Sequence, residues 1–375
     1  MLDDGDHSEM LAAQACVWLG HLIDSYIHTF NSFDFDEEKA TTLYVQVEAP
    51  LFAQSLEVGL IIPILLVECD FDTVHLSDRA AIAKLTEKQQ LSRMASDTWD
   101  YDASVPQRIV AGAATHALVL AGYQIKGPAT YRDLLNVLTS PQAFPVVIDE
   151  FFCSLRMASV DTGYSQIITA PIGWAAKLRG NLHSWMSAFV RRYPARFDNW
   201  HWTRSDISRL SQQGAADVGK MFQALRRANR KEDGIAIARI NRAAIREEEE
   251  DAVIDATIAL EALLSDSSTQ EMTHKLALRV AALSRLVGFV KEPAEVFREV
   301  KSIYSYRSTI VHGSAKKKNG REIALGTAIK LEPVVAAEEY ARMVLKALLL
   351  HPEFRDPRRI DTELLLAAKT DTFES

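Results

Sequence analysis

Pro293-Ala-Glu-Val-Phe-Arg-Glu-Val-Lys-Ser-Ile-Tyr-Ser-Tyr-Arg-Ser-Thr-Ile-Val-His-Gly313 reads as one helix with both ends marked. Pro293 belongs in a first turn, where a missing N–H is no loss, and Gly313 stands where left-handed backbone ends a helix. At about 100° per residue, Val296, Phe297, Val300, Ile303, Tyr304, Ile310 and Val311 all fall within about 80° of Arg307. Arg307 therefore lies in the middle of the apolar face. A guanidinium cannot shed its charge, so at that position it needs an anion or several acceptors. His312 falls about 140° from Arg307, on a strip with Ser305, Ser308 and Thr309. As the last helical residue it can swing its ring past the helix end.

Working outward, the same helical spacing recurs on both sides. Ile207–Arg230 and Ile235–Arg246 are helical in pattern. The five acids Glu247–Asp251 suit the N-terminus of a helix running to Leu264, where carboxylates are favoured. Helices over Thr273–Phe289 and Glu332–Leu350 complete the series, the latter closed by Pro352. Four consecutive helices with mostly short connections predict a bundle, with its core at about 250–350. On the helix 251–264, Glu261 lies along a stripe of Ile254, Ile258 and Leu264. A carboxylate there is expected to be buried and paired, and Arg307 and Arg279 are both candidate partners.

These residues resemble the Apea-like family of HEPN domains. The resemblance spans about residues 235–350. It is carried by Ala259-Leu-Glu-Ala-Leu-Leu264, by Lys275-Leu-x-x-Arg279, and by Tyr304-x-x-Arg-Ser-x-Ile-Val-His-Gly313. Within the last, Arg307-Ser308-x-x-x-His312 matches the Arg-polar-x-x-x-His signature of the superfamily. The resemblance implies a metal-independent endoribonuclease that needs no cofactor and works as a homodimer, with two Arg-His motifs facing one cleft. It implies catalytic roles for Arg307, Ser308 and His312, and supporting roles for Glu261, Arg279, Tyr304 and Gly313. RNA cleavage without metal needs proton transfer at two oxygens and a cation on the phosphorane, which His and Arg supply. HEPN bundles also serve as non-catalytic RNA-binding or dimerisation modules, and that reading stays open beside the enzyme.

The first 205 residues read differently, as an α+β domain. Residues 8–31 form an amphipathic helix with Ser8 as a plausible N-cap, and Leu43, Val45 and Val47 alternate as a strand does. Val58–Glu68 reads as buried strand broken at Pro63, and Thr86-Glu-Lys-Gln89 as a capping box. Arg108–Ile125 is rich in β-formers, and Phe144–Met157 is helical. The expected organisation is an N-terminal sensor or regulatory domain over 1–205, a helical domain over 206–355, and a tail over 356–375. Family behaviour extends this to a phage-defence or stress effector answering an unknown trigger.

Charge is unevenly spread. The net charge of −8 hides a first segment, 1–105, with 5 Lys+Arg against 19 Asp+Glu, and a second, 106–234, with 16 against 9. The acidic segment is read as a mask over basic surface, which keeps an anionic partner such as RNA in view. Lys316, Lys317, Lys318 and Arg321 follow the Arg-His motif and are candidate RNA-backbone contacts. Trp185–Arg209 interleaves aromatics with arginines, a composition that stacks bases or packs a connector. Three separated cysteines exclude a disulfide scaffold and a Cys-rich zinc site. Cys69-Asp-Phe-Asp-x-x-His75-x-x-Asp78 collects possible metal ligands but matches no metal-ligand spacing, so no metal site is assigned. With no phosphate-binding glycine loop, no nucleophile elbow and no membrane-length apolar run, a cytoplasmic protein with no membrane partner is expected.

Overall fold

Residues 55–63, ending at the Pro63 that breaks the apolar stretch Val58–Glu68, form the strand on which the N-terminal sheet is built. The computed structural model describes residues 4–94, 112–126, 146–175, 180, 182, 187–190, 207–228, 231–266, 272–311, 323–324 and 330–366. Strand β1 (Ser55–Pro63) pairs antiparallel with β5 (His116–Lys126) and with β6 (Gln166–Pro171). Beyond β5 lie β4 (Ala80–Lys84) and β3 (Thr73–Ser77), and beyond β6 lies β7 (Ser187–Val190). The six-stranded order is β3-β4-β5-β1-β6-β7, antiparallel throughout. The register of β1 on β5 shifts between Val58 and Leu60, opposite Gly122, which sits at φ +81°. A side chain there would be strained and would crowd Arg79, so glycine makes the bulge. A parallel pair, β2 (Val67–Cys69) with β8 (Ser208–Leu210), stands apart, so strand structure extends past residue 205, where the sequence pattern ends.

Helix α1 runs Asp4–Phe30, which places Ser8 inside the helix and not at its cap. The alternation at 43–47 is not a strand. It lies within α2 (Glu37–Phe52), where Leu43 is buried and Val45 exposed. Asp36, in extended backbone, accepts the Lys39 N–H at 3.1 Å, and Glu37 and Glu38 fill the first turn. A good cap and favourable charges at the helix N-terminus outweigh three alternating residues. The capping box at Thr86 forms in full: Gln89 N–H donates to Thr86 Oγ1 at 3.2 Å, and Thr86 N–H to Gln89 Oε1 at 2.9 Å. It opens α3 (Glu87–Met94), whose buried Arg93 is satisfied by Gln90, Gln166 and the carbonyl of Gly112.

The chain divides into two units. The first comprises Met1–Phe144, Gly163–Tyr193 and Phe197–Gln212; the second comprises Pro145–Thr162, Pro194–Arg196 and Gln213–Ser375. Helix α4 (Val146–Met157), expected in the N-terminal domain, belongs to the helical unit. Its Phe151 packs edge-on against Phe222 of α5 (Gln212–Ala228), with both rings fully buried. Arg156 of α4 donates to Asn241 Oδ1 of α6 (Lys231–Ala243), and Asn241 Nδ2 returns a bond to the Asp149 carbonyl at 2.8 Å. The acidic segment 1–105 supplies β1, β3 and β4 of the sheet, so it is a structural part of its unit.

The bundle is built on α7 (Glu249–Leu264), whose Val253, Ala256, Ala259, Leu260 and Leu264 are fully buried. Around it pack α6, α8 (Met272–Ser284), α9 (Pro293–Val311) and α10 (Pro333–Leu350). A 3₁₀ turn, Arg285–Val287, and Gly288 at φ +61° end α8 earlier than its sequence pattern implies. Pro293 opens α9, as expected. Among the described residues no helix is long and apolar enough to cross a membrane.

The segment read as a C-terminal tail is part of this core. Ile360 is fully buried, and Asp361 accepts Arg279 Nε at 2.9 Å and Nη2 at 2.6 Å. Arg279, 1% exposed, also donates to Asp266 at 2.7 Å and to the Leu264 carbonyl at 2.6 Å. Removing one member of a buried pair strands the others. Arg279→Ala should cost about 3–5 kcal/mol in urea unfolding. Hydrogen exchange across 357–366 should rise in parallel; unchanged protection there would show that the segment is held by other contacts.

Candidate functional site

Arg307 sits where α9 leaves the core. Along its apolar face Val296, Val300 and Ile303 are fully buried and Tyr304 nearly so, whereas Val311 is 60% exposed. The helix thus carries Arg307 to the boundary between interior and solvent, with 29% of its side chain exposed. The choice of partner is settled by the geometry: Glu261 takes Arg307, and Arg279 is committed to Asp266 and Asp361. Arg307 Nη1 lies 2.9 Å from Glu261 Oε1, and Nη2 donates to Oε2 at 3.5 Å, a fork-to-fork arrangement. Among the described residues the buried Arg307 Nε has no hydrogen-bond partner, so the pair leaves donor capacity unused. The guanidinium also lies 6.0 Å from the Tyr304 ring, near the outer limit of a cation–π contact.

Tyr304 supports the site from below. Its hydroxyl donates to the Thr257 carbonyl of α7 at 3.3 Å, and burial pushes its phenol far above the ordinary range. Glu261 is about one quarter exposed. Burial raises its carboxyl above the usual range, and the attraction of Arg307 only partly opposes this. Ser305 and Ser308 are exposed on the polar strip, and Thr309 Oγ1 is tied to the Tyr306 carbonyl at 2.7 Å. Burial, with Glu250 and Glu249, raises the Tyr306 phenol, so this side of α9 faces acid.

His312, Gly313, Lys316, Lys317, Lys318 and Arg321 lie outside the described residues, as do Trp185 and 191–206 of the aromatic-basic stretch. Arg209, at the end of that stretch, pairs with Glu68 at 3.3 Å. In the Cys69–Asp78 region, Asp70 accepts the Gln212 N–H at 2.9 Å, while Asp72 pairs with Lys84 at 3.6 Å. Among the described residues no three His, Cys, Asp or Glu side chains converge as a metal site. Sequence reasoning missed the partners of Arg279: Asp266 and Asp361 carry no local signal, since their role depends on packing. Neither protein-family models nor curated proteins nor solved structures gave a match.

The raised carboxyl sets a pH dependence. A carboxyl whose pKa is higher folded than unfolded contributes full stability below its unfolded value, about 4.3, and loses it as pH rises through the folded one. Wild-type stability relative to Glu261→Gln should therefore fall as pH climbs from about 4 through the mildly acidic range. Denaturant titrations at several pH values measure this; a difference that is flat or rises with pH would contradict the burial argument.

Proposed function

We propose that the helical unit is a metal-independent endoribonuclease of the HEPN type, working as a homodimer. The observation that carries the reading is the state of Arg307. It is half-buried, aimed by one carboxylate, with an unused donor and an exposed serine beside it, and His312 follows five residues later in the sequence. Beyond the bonds to Glu261, its terminal nitrogens keep further N–H groups for the non-bridging oxygens of a phosphate. In the reaction the ribose 2′-oxygen attacks phosphorus and the bond to the 5′-oxygen breaks. One His312 takes the 2′-hydroxyl proton, and a protonated His312 from the second copy gives one to the departing oxygen. The products are a 2′,3′-cyclic phosphate and a 5′-hydroxyl. Ser308 orients the phosphate, and Lys316, Lys317, Lys318 and Arg321 hold the backbone beyond it.

A second reading has an observation of its own. The Glu261 fork cancels much of the charge of Arg307, as a brace in a non-catalytic RNA-binding or dimerisation module would. The two readings separate in a cleavage assay on total RNA. His312→Ala and Arg307→Ala should each lower cleavage by at least about 100-fold while the dimer stays folded. Equal cleavage by wild type and both variants, or none by wild type with or without a trigger, leaves the binding module standing.

A further inference from the structure

Toward the opposite end of α9 the helical unit carries a second concave feature. It is a groove of about 670 Å³ between α8 and α9, floored by Leu278 and Phe297 and walled on one side by Leu364 and Leu365. That volume is within the usual range for binding sites. Arg285 and Arg298 stand at its edges, and among the described residues neither meets a carboxylate. Arg298 Nε donates to the Ala294 carbonyl of its own helix at 3.3 Å. Arg279, buried in the same bundle, is matched to two acids, so two arginines that meet no carboxylate among the described residues, beside apolar walls, define an amphipathic, acid-seeking surface.

The described chain ends at this groove. Leu366, 75% exposed, directly follows the two leucines that form the wall, and nine further residues, 367–375, continue from it. Their sequence is Ala-Ala-Lys-Thr-Asp-Thr-Phe-Glu-Ser: one bulky apolar side chain, Phe373, between Asp371 and Glu374. Seven extended residues span about 23 Å, ample to bring Phe373 back over the groove. We propose that this groove is a docking site for the chain's own residues 367–375. Phe373 fills the apolar floor, and Asp371 and Glu374 meet Arg285 and Arg298. The occupant is intramolecular, so a short tether replaces much of the affinity a free peptide would need.

The test uses the full-length chain with a photoreactive benzophenone amino acid in place of Phe373, irradiated at low protein concentration. Adducts within one chain should map to residues 278–298. Their yield should fall about fivefold in Arg285→Gln/Arg298→Gln, the worth of two solvent-facing pairs. Because that variant could in principle disturb the helices, the unsubstituted groove is also irradiated in about 1 M salt, where screening should lower the yield comparably. Adducts outside the groove, no adducts, or a yield indifferent to both salt and substitution would overturn the proposal. Adducts joining two chains would overturn it as well, since the occupant would then be a second copy. None of these outcomes depends on whether RNA is cleaved.

Discussion

The helical unit depends on Arg279. Its guanidinium, carried by α8, is buried where α7 ends and the C-terminal segment returns, and it bonds to the Leu264 carbonyl and Asp266 at the end of α7 and to Asp361 of the returning segment. A charge in that position is tolerable only when its acceptors arrive together, so the arrangement fixes three chain segments at once. The same logic repeats through the bundle. Asp255 is met by Arg239 and Arg246, Asp233 by Arg355, and Glu299 by Lys291 and the Tyr340 hydroxyl. Each pair joins different stretches of chain, and a slip of one helical turn would leave a buried charge alone. Apolar packing supplies the stabilisation, while these pairs select one register among many that would bury similar area.

Arg307 and Glu261 belong to this series by chemistry and depart from it by position. The other pairs lie along the body of the bundle, whereas Arg307 lies on the last two turns of α9, where the apolar face runs out into solvent. The pair therefore does two things with the same atoms. It satisfies a carboxylate that burial makes uncomfortable, and it presents an oriented cation at the surface. A site of this kind needs no separate scaffold, because the bundle's own register positions it.

Much of this was legible in the sequence. The helices of the second half are long, with apolar residues at helical spacing and proline, glycine and acidic end signals, so their existence and order follow from local rules. The location of Arg307 on an apolar face was equally legible, since helical geometry alone places it. What could not be read has a common cause. Leu43, Val45 and Val47 alternate as a strand does, yet the Asp36 cap decided the helix. The choice of Glu261 between two arginines turned on Asp361, 82 residues beyond Arg279. The allegiance of α4 turned on Phe222 and Asn241, which come much later in the chain. Local pattern fixes elements, and partners distant in sequence fix where those elements go.

That α4 belongs to the helical unit has a consequence for how the chain is made. The ribosome delivers α4 before β6 and β7, and well before α5 and α6. Its buried face, with Phe151, Phe152 and Leu155, must wait for partners while the sheet is still missing strands. The sheet unit is interrupted by α4 but has all its residues by Gln212, whereas the helical unit, begun at α4, is completed only late in translation. A protein assembled this way has no interval in which its helical half stands finished and unaccompanied.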